Sequence, residues 1–217
     1  MSISRVICPA ALVLVLAIGF RTSADSDNIL KKRLSIGSQT STPVNYLALL
    51  LRESGAWGGI EDYESGCSGE PESQMPALDD TLGEGLVRIH QLEKSLKWQI
   101  IGDGLLVVKG SPAHSILDTK IAHFTFNVYD PPDKITSALL SSDPVASSIA
   151  RQGFSVGSPE LGFAQPRAES EKQVTLSGVT VRQVLNSVAK SSHPRVWLFK
   201  QQICGGHKEI TINWVVK

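Results

Sequence analysis

The segment Cys204-Gly-Gly-His207 could do chemistry more readily than any other in the chain, because it brings a thiol close to an imidazole. A thiolate and an imidazole are both zinc ligands, and a structural zinc site takes about four such ligands. No second Cys/His pair follows, and no spacing requires Cys67 or a distant histidine to complete the set. We therefore interpret the segment as a glycine-rich hairpin loop, and we predict no metal and no cofactor.

Ser155 is the candidate for nucleophilic chemistry. It lies in Gly153-Phe-Ser-Val-Gly157, which has the letters of the nucleophile elbow found in hydrolases. That elbow needs a strand before the serine and a helix after it, whereas here a predicted helix precedes the serine and a proline-rich loop follows. The chain also has no phosphate-binding loop, dinucleotide fingerprint or HExxH motif. We therefore predict no catalytic residue.

The alternative function is a small periplasmic hydrolase or metal-dependent enzyme that uses loop residues near Cys67, Ser155 and His207. It requires these regions, which are distant in the chain, to meet in one pocket. The acidic stretch 62–76 adds no calcium site, because it lacks the Asp-x-Asp-x-Asp-Gly spacing and the closing glutamate of a calcium loop. Its glycines and prolines predict a solvated loop.

The N-terminus predicts a secretory signal peptide, residues 1–24. Arg5 supplies a basic start, an apolar run covers 10–20, and Thr22-Ser23-Ala24 provides small residues for cleavage after Ala24. That run is too short to span a bilayer, which takes about 20 residues. We expect an exported protein, periplasmic or extracellular, with no stable membrane insertion after cleavage.

Two cysteines follow the predicted signal peptide, Cys67 and Cys204. In an oxidising compartment they could form a disulfide that closes a long loop, although reach cannot be judged from sequence. The charge balance excludes one class of partner, because 21 basic residues balance 21 acidic ones. A neutral chain has no electrostatic footprint for nucleic acid or for anionic lipid, so we expect no nucleic-acid partner.

The elements that would position these residues form an internal repeat of two copies. Residues 29–34 (ILKKRL) are echoed by 116–121 (ILDTKI), and 48–50 (ALL) by 138–140 (ALL). Each passage then reaches a glycine that ends a helix, Gly55 or Gly153. A repeat of about 90 residues is of domain size. The sequence therefore predicts domains at 25–109 and 116–217, joined by a linker at 110–115.

Each predicted copy reads strand, helix, strand, strand, helix, hairpin. In the first copy, Thr42 and Pro43 open a helix, 85–95 form a second, and the runs 98–101 and 105–108 flank a Gly-Asp-Gly turn. In the second, a helix ends at 140, another covers 145–152, and 158–171 form a loop. A later helix and a hairpin close the copy. We predict an α+β protein of two small domains, each a short mixed sheet covered on one face by two helices.

The order of elements resembles the STN domain, the short N-terminal domain of secretins and TonB-dependent receptors. The residues that carry the likeness are 173–190 (QVTLSGVTVRQVLNSVAK) with the strand pair that ends in Trp214, and 82–109 is a looser copy. The chain also resembles small exported bacterial proteins that contain such domains in tandem. It lacks the pore region of a secretin and the barrel and TonB box of a receptor.

The resemblance implies a Gram-negative periplasmic setting, a role in protein contacts and no catalytic residue. We therefore predict a non-enzymatic envelope protein that binds another envelope or outer-membrane protein through an open sheet edge. Self-association is left open. Trp57 is the candidate contact residue, because Gly58 and Gly59 beside it could leave its ring exposed, although a position in the core is the other reading.

Overall fold

The computed structural model describes residues 29–65, 67, 69–112, 114–157, 172–191 and 195–215. The predicted signal peptide and the predicted loop 158–171 lie outside the described residues. The helices are α1 (Pro43–Ser54), α2 (Leu82–Leu92), α3 (Pro132–Leu140), α4 (Asp143–Gln152) and α5 (Val181–Ser191), with a 3-10 turn at Ile116–Asp118. The strands of the first half are β1 (Arg33–Ile36), β2 (Gln39–Ser41), β3 (Gly58–Ser65), β4 (Ser73–Met75), β5 (Leu78–Thr81), β6 (Leu96–Ile101) and β7 (Gly104–Lys109). Those of the second half are β8 (Lys120–Asn127), β9 (Ser155–Val156), β10 (Gln173–Thr180), β11 (Val196–Cys204) and β12 (His207–Val215).

Helix α1 has the ends that its sequence predicts. The Thr42 hydroxyl accepts a hydrogen bond from the backbone N–H of Asn45, and Pro43 occupies the first turn. Gly55 ends the helix with a φ of 67°, a left-handed conformation that glycine adopts without strain. Gly153 ends α4 in the same way with a φ of 73°. In each half the chain then enters a strand, β3 or β9.

Helices α2 and α5 occupy the same place in the two halves. Each has 11 residues, and each begins after a threonine whose hydroxyl accepts from the backbone N–H three residues on, at 3.3 Å for both Thr81 and Thr180. The predicted start of α2 at Gly85 is wrong, because the cap at Thr81 starts the helix three residues earlier.

The two halves have the same strand pairing. In the first, β1 pairs antiparallel with β5, β6 and β7 form a hairpin, and β3 lies parallel to β7. In the second, β8 pairs antiparallel with β10, β11 and β12 form a hairpin, and β9 lies parallel to β12. A backbone bond recurs as well: Leu82 N donates to Lys32 O at 2.9 Å, and Val181 N donates to Thr119 O at 3.1 Å.

One sheet joins the two halves. Its order is β6-β7-β3-β11-β12-β9, and the central pair, β3 with β11, is parallel and runs from Gly58 opposite Val196 to Ser65 opposite Ile203. We call this pair the junction. The halves therefore follow each other head to tail along the sheet, each contributing a hairpin and then a third strand.

The sheet separates two hydrophobic cores. Val196 belongs to the core that contains α1 and α2, whereas its neighbour Trp197 belongs to the core that contains α3, α4 and α5. Alternate residues of a strand point to opposite faces, so the helices of each half cover a different face of the shared sheet. The predicted α+β class is confirmed. The predicted two-domain layout is not confirmed, since strands from both sides of 110–115 share one sheet.

Strand β3 corrects the prediction of a loop over 62–76. The strand continues to Ser65, and β4 also lies within the predicted loop. The prediction was wrong because Asp62 and Glu64 are charged, and charge favours a loop by composition. Partners of opposite charge, Lys109 of β7 and Lys200 of β11, allow a strand of this composition to be buried.

Candidate functional site: the junction and the open sheet edges

Two glycines let β3 lie close to its neighbours: Gly59 faces β11 at the junction, and Gly58 faces β7. A Cβ atom at Gly59 would lie 2.1 Å from the indole ring of Trp197, and one at Gly58 would lie 1.8 Å from the Leu105 carbonyl oxygen. Trp197 is fully buried, and its Nε1 donates to Asn186 Oδ1 at 3.0 Å. Any larger residue at Gly59 would therefore displace the ring that β11 places against β3.

A buried ion pair crosses the junction on the side of α5. Glu61 is 2% exposed, and both its carboxylate oxygens accept from the Arg182 guanidinium, with Nη2 at 2.9 Å from Oε2. Arg182 also bonds to Asp118. Burial lowers the pKa of Arg182, but Glu61 and Asp118 more than offset this and the pKa is raised overall. The guanidinium therefore stays charged and joins strand β3 to helix α5.

Tyr63 extends this polar group. Its hydroxyl donates to Glu61 Oε2 at 2.7 Å and lies 2.8 Å from Ser115 Oγ. Burial, followed by the negative charge of Glu61, raises the pKa of Tyr63. Its ring also meets that of Phe199 edge to face, with centroids 5.7 Å apart. The side chain is thus held neutral and fixed between the two halves.

A second charged cluster surrounds Lys109 on the opposite face. Its Nζ lies 2.9 Å from Glu70 Oε1, 3.5 Å from Asp62 Oδ1 and 3.8 Å from Glu64 Oε1. Lys200 of β11 lies 3.2 Å from the other oxygen of Glu64. Burial raises the pKa of Asp62 to about 6, a shift that Lys109 opposes. Because Asp62 is 2% exposed, its titration bears on stability and offers no surface for a substrate.

Cys67 and Cys204 are joined by a disulfide, with their Cα atoms 4.6 Å apart. The bond lies just beyond the last pair of the junction and ties β11 to the chain that leaves β3. The pairing that the sequence left open is thus present in the structure. Neither sulfur is available as a free thiol for metal binding or nucleophilic attack.

Ser155 and His207 lie near the same end of the sheet, but the structure does not join them. Ser155 pairs with Glu209 in the sheet, and its hydroxyl donates to Lys208 O at 3.1 Å. His207 Nε2 lies 3.6 Å from Glu209 Oε2. Ser155 stands in a strand that follows α4, so it lacks the strand-to-helix setting of a nucleophile elbow. Within the described residues, no three His, Cys, Asp or Glu side chains gather as metal ligands would.

Trp57 is half-buried and packs against the core of the second half. Its indole covers Gly104, where a Cβ atom would lie 2.5 Å from the ring. Lys190 Nζ lies 5.4 Å from the ring centroid, and its ammonium is 3.0 Å from Asp103. These contacts leave only part of the ring for a partner.

The outer edges of β6 and β9 have no strand partner among the described residues. Gly157 N donates to Ile210 O at 2.8 Å, so the residues on either side of Val156 bond to β12. Alternation along a parallel strand then directs the N–H and C=O of Val156 away from β12, to the open side. By the same alternation from the Ile101–Gly104 hairpin pair, Ile100 directs its backbone groups outward from β6.

A groove, which we call the β9 groove, lies beside the open edge of β9. Ser137 and Leu140 of α3 line one wall, and Val156 and Ile212 of the sheet line the other. Its empty space is about 610 Å³. Val156 is 49% exposed.

Sequence reasoning missed the junction, both charged clusters and the β9 groove. One signal pointed to the junction: Gly58-Gly59 leads into charged residues with no turn, which suggests close approach of another backbone. No described helix is long and apolar enough to cross a membrane. In comparisons with known proteins, no family model, curated protein or solved structure matches this chain.

Proposed function

We propose that this protein is a non-enzymatic, exported binding protein that joins another envelope protein by pairing strands at an open edge of its central sheet. One observation carries the proposal. The chain already binds one half to the other by strand pairing at the junction, and β6 and β9 offer the same kind of edge at the two ends of the sheet. An open edge presents unpaired N–H and C=O groups that a partner strand can complete.

The exported setting rests on two features. The N-terminal residues 1–24 have the layout of a signal peptide. The Cys67–Cys204 disulfide needs an oxidising compartment to persist, as in the periplasm or outside the cell. The resemblance to STN domains, which act in protein contacts, adds an expectation of the same kind.

The two edges differ in the side chains that they expose to a partner strand. On β6, the exposed residues Lys97 and Gln99 alternate with residues that face the core. Charged residues on an edge strand discourage indiscriminate pairing. On β9 both side chains are exposed, the polar Ser155 and the apolar Val156. The proposal therefore favours β9 as the edge that is used.

Capture of partners from the native envelope tests the proposal. We expect Val156→Pro or Ile100→Pro to abolish capture of a specific partner, because proline removes the outward N–H of that edge. Val156→Ala and Ile100→Ala are matched controls, since they shorten the side chain and keep the N–H. If the wild-type protein captures no specific partner, the contact role is wrong. If both proline variants capture it as well as wild type, edge pairing is wrong.

A further inference from the structure

The β9 groove has a counterpart in the first half that is filled. Strands β3 and β9 hold corresponding positions: each follows a helix capped by a left-handed glycine, and each lies parallel to the second strand of a hairpin. Strand β3 is paired on both sides, by β7 and by β11. Among the described residues, β9 is paired on one side only, by β12. The described part of the second half thus contains no strand in the place that β11 takes in the first.

Strand β11 does two things for the first half. It completes the sheet beside β3, and it places alternate apolar side chains on the core of that half. Val196 is 1% exposed there, Leu198 packs beside it, and β11 contacts helix α1. The occupant of this position is therefore an extended strand, parallel to its neighbour, with two apolar side chains, Val196 and Leu198, at alternate residues.

The corresponding position in the second half is the β9 groove. The outward N–H and C=O of Val156 supply the edge, while Leu140 and Ile212 supply apolar walls for side chains. The groove's empty space of about 610 Å³ is partly open to solvent. It is thus open on the side where β11 would lie if the head-to-tail order continued.

A second copy of the chain fits this position poorly. The head-to-tail order would bring its free edge strand, β6, beside β9. Strand β6 directs Trp98 and Ile100 toward its own core, so the residues left for the groove would be Lys97 and Gln99, which are exposed and polar. On β11 the first two side chains of the face that meets the neighbouring half are the apolar Val196 and Leu198. The groove therefore favours a strand from a different protein.

We propose that the β9 groove and the open edge of β9 bind an extended segment of another envelope protein, parallel to β9, with two alternating apolar side chains in the groove. This inference rests on the proposed function and names the edge and the class of partner. The specificity it implies is for the apolar alternation of the segment, because the backbone bonds are the same for any sequence.

A synthetic peptide tests the proposal. Its sequence copies residues 195–203 (RVWLFKQQI), the strand that fills the corresponding position in the first half. Binding of the fluorescein-labelled peptide to the purified protein is measured by fluorescence anisotropy. We expect saturable binding that is lost when the peptide carries Val196→Ser and Leu198→Ser. No binding of the unmodified peptide, or equal binding of both peptides, overturns the inference.

Two protein variants locate the site. Ser137 and Ala138 are both exposed on α3, but only Ser137 lines the groove. Ser137→Arg fills the groove and should weaken peptide binding about tenfold or more, whereas Ala138→Arg should leave it unchanged. Equal affinity of the two variants overturns the inference. Self-association that Ser137→Arg abolishes also overturns it, because the occupant would then be a second copy.

The outcomes separate this inference from the proposed function. If the peptide fails to bind and a partner is captured through β6, as shown by loss with Ile100→Pro alone, the inference is wrong and the proposed function stands. If the peptide binds as expected but the wild-type protein captures no envelope protein, the inference about the groove stands and the envelope role is wrong.

Discussion

Nη2 of Arg182 lies 2.9 Å from Oε2 of Glu61, so a guanidinium of the second half neutralises a carboxylate buried in the first. Removing the guanidinium leaves that charge buried and unpaired. We expect Arg182→Met to lower the free energy of unfolding by about 3–5 kcal/mol, measured by urea denaturation. Adding Glu61→Gln should recover much of this loss, because the carboxylate that Arg182 had neutralised is then no longer charged.

Lys190 provides the control on the same helix. Its pair with Asp103 is exposed, with side-chain exposures of 59% and 55%. Lys190→Met should therefore change the free energy of unfolding by less than about 1 kcal/mol. An Arg182→Met protein as stable as Lys190→Met would contradict the role of the Glu61 pair.

Asp62 should make stability depend on pH in an unusual direction. Burial raises its pKa from 3.8 to about 6, so the folded protein binds this proton more tightly than the unfolded chain does. The contribution of Asp62 to the free energy of unfolding therefore rises as pH falls from 7 to 4. This contribution is lost as pH rises through 6. A pKa shift is worth about 1.4 kcal/mol per unit, so the whole contribution is about 3 kcal/mol.

Comparison of the wild type with Asp62→Asn measures this contribution. The variant keeps the other charged groups that face Asp62, which are Lys109, Lys200, Glu64 and Glu70. The free energy of unfolding of wild type minus that of the variant should increase between pH 7 and pH 4. Asp79→Asn, at an exposed residue of the same half, controls for the loss of one carboxylate. A difference that stays constant, or that decreases as pH falls, would show that Asp62 is not held in the environment described.

The local elements of this fold could be predicted from sequence, and the junction could not. Thr42, Pro43 and Gly55 mark the ends of α1 by chemistry that acts within a few residues. The hairpin turn at Gly102 was predicted as well. Gly102 has a φ of 65°, the positive value that a tight hairpin turn requires. Pairing β3 with β11 joins strands far apart in the chain. Gly58-Gly59 indicates a close approach of another backbone, but it does not specify which strand is the partner.

In the candidate site, too, residue types could be predicted from sequence, whereas features that depend on long-range packing could not. Ser155 and His207 were found by their residue types, which is why they could be named and tested. The β9 groove depends on the unpaired side of β9 and on the face of α3 beside it. Val156 and Leu140 are ordinary core residues in sequence, and only the missing neighbour strand makes them a candidate binding surface.

Gly59 should tolerate no side chain. A Cβ atom there would lie 2.1 Å from the buried ring of Trp197. We expect Gly59→Ala to lower the free energy of unfolding by about 1–3 kcal/mol through overpacking, measured by urea denaturation. Gly69→Ala is the control, since nothing lies within 4 Å of a Cβ at that residue. Equal stability of the two variants would place Trp197 elsewhere.

The Cys67–Cys204 disulfide should add stability without building the sheet. It links residues separated by 137 positions, and such a crosslink stabilises mainly by restricting the unfolded chain. The Cys67→Ser/Cys204→Ser variant should lose about 2–5 kcal/mol and keep the wild-type circular dichroism spectrum. Thiol titration of the unreduced, denatured wild-type protein, prepared from residue 25 onward, should find no free thiol. Two free thiols would contradict the pairing.

Hydrogen exchange of the backbone amides tests the central claim, that strand pairing between β3 and β11 joins the two halves into one sheet. It is measured by NMR in the Cys67→Ser/Cys204→Ser variant, where no covalent bond holds the junction. We expect hydrogen-bonded amides of both strands to exchange with free energies close to that of global unfolding. Exchange of the amides that bond β3 to β11 at much lower free energies than the amides that bond β6 to β7 and β11 to β12 would show that the halves separate, and would contradict the claim.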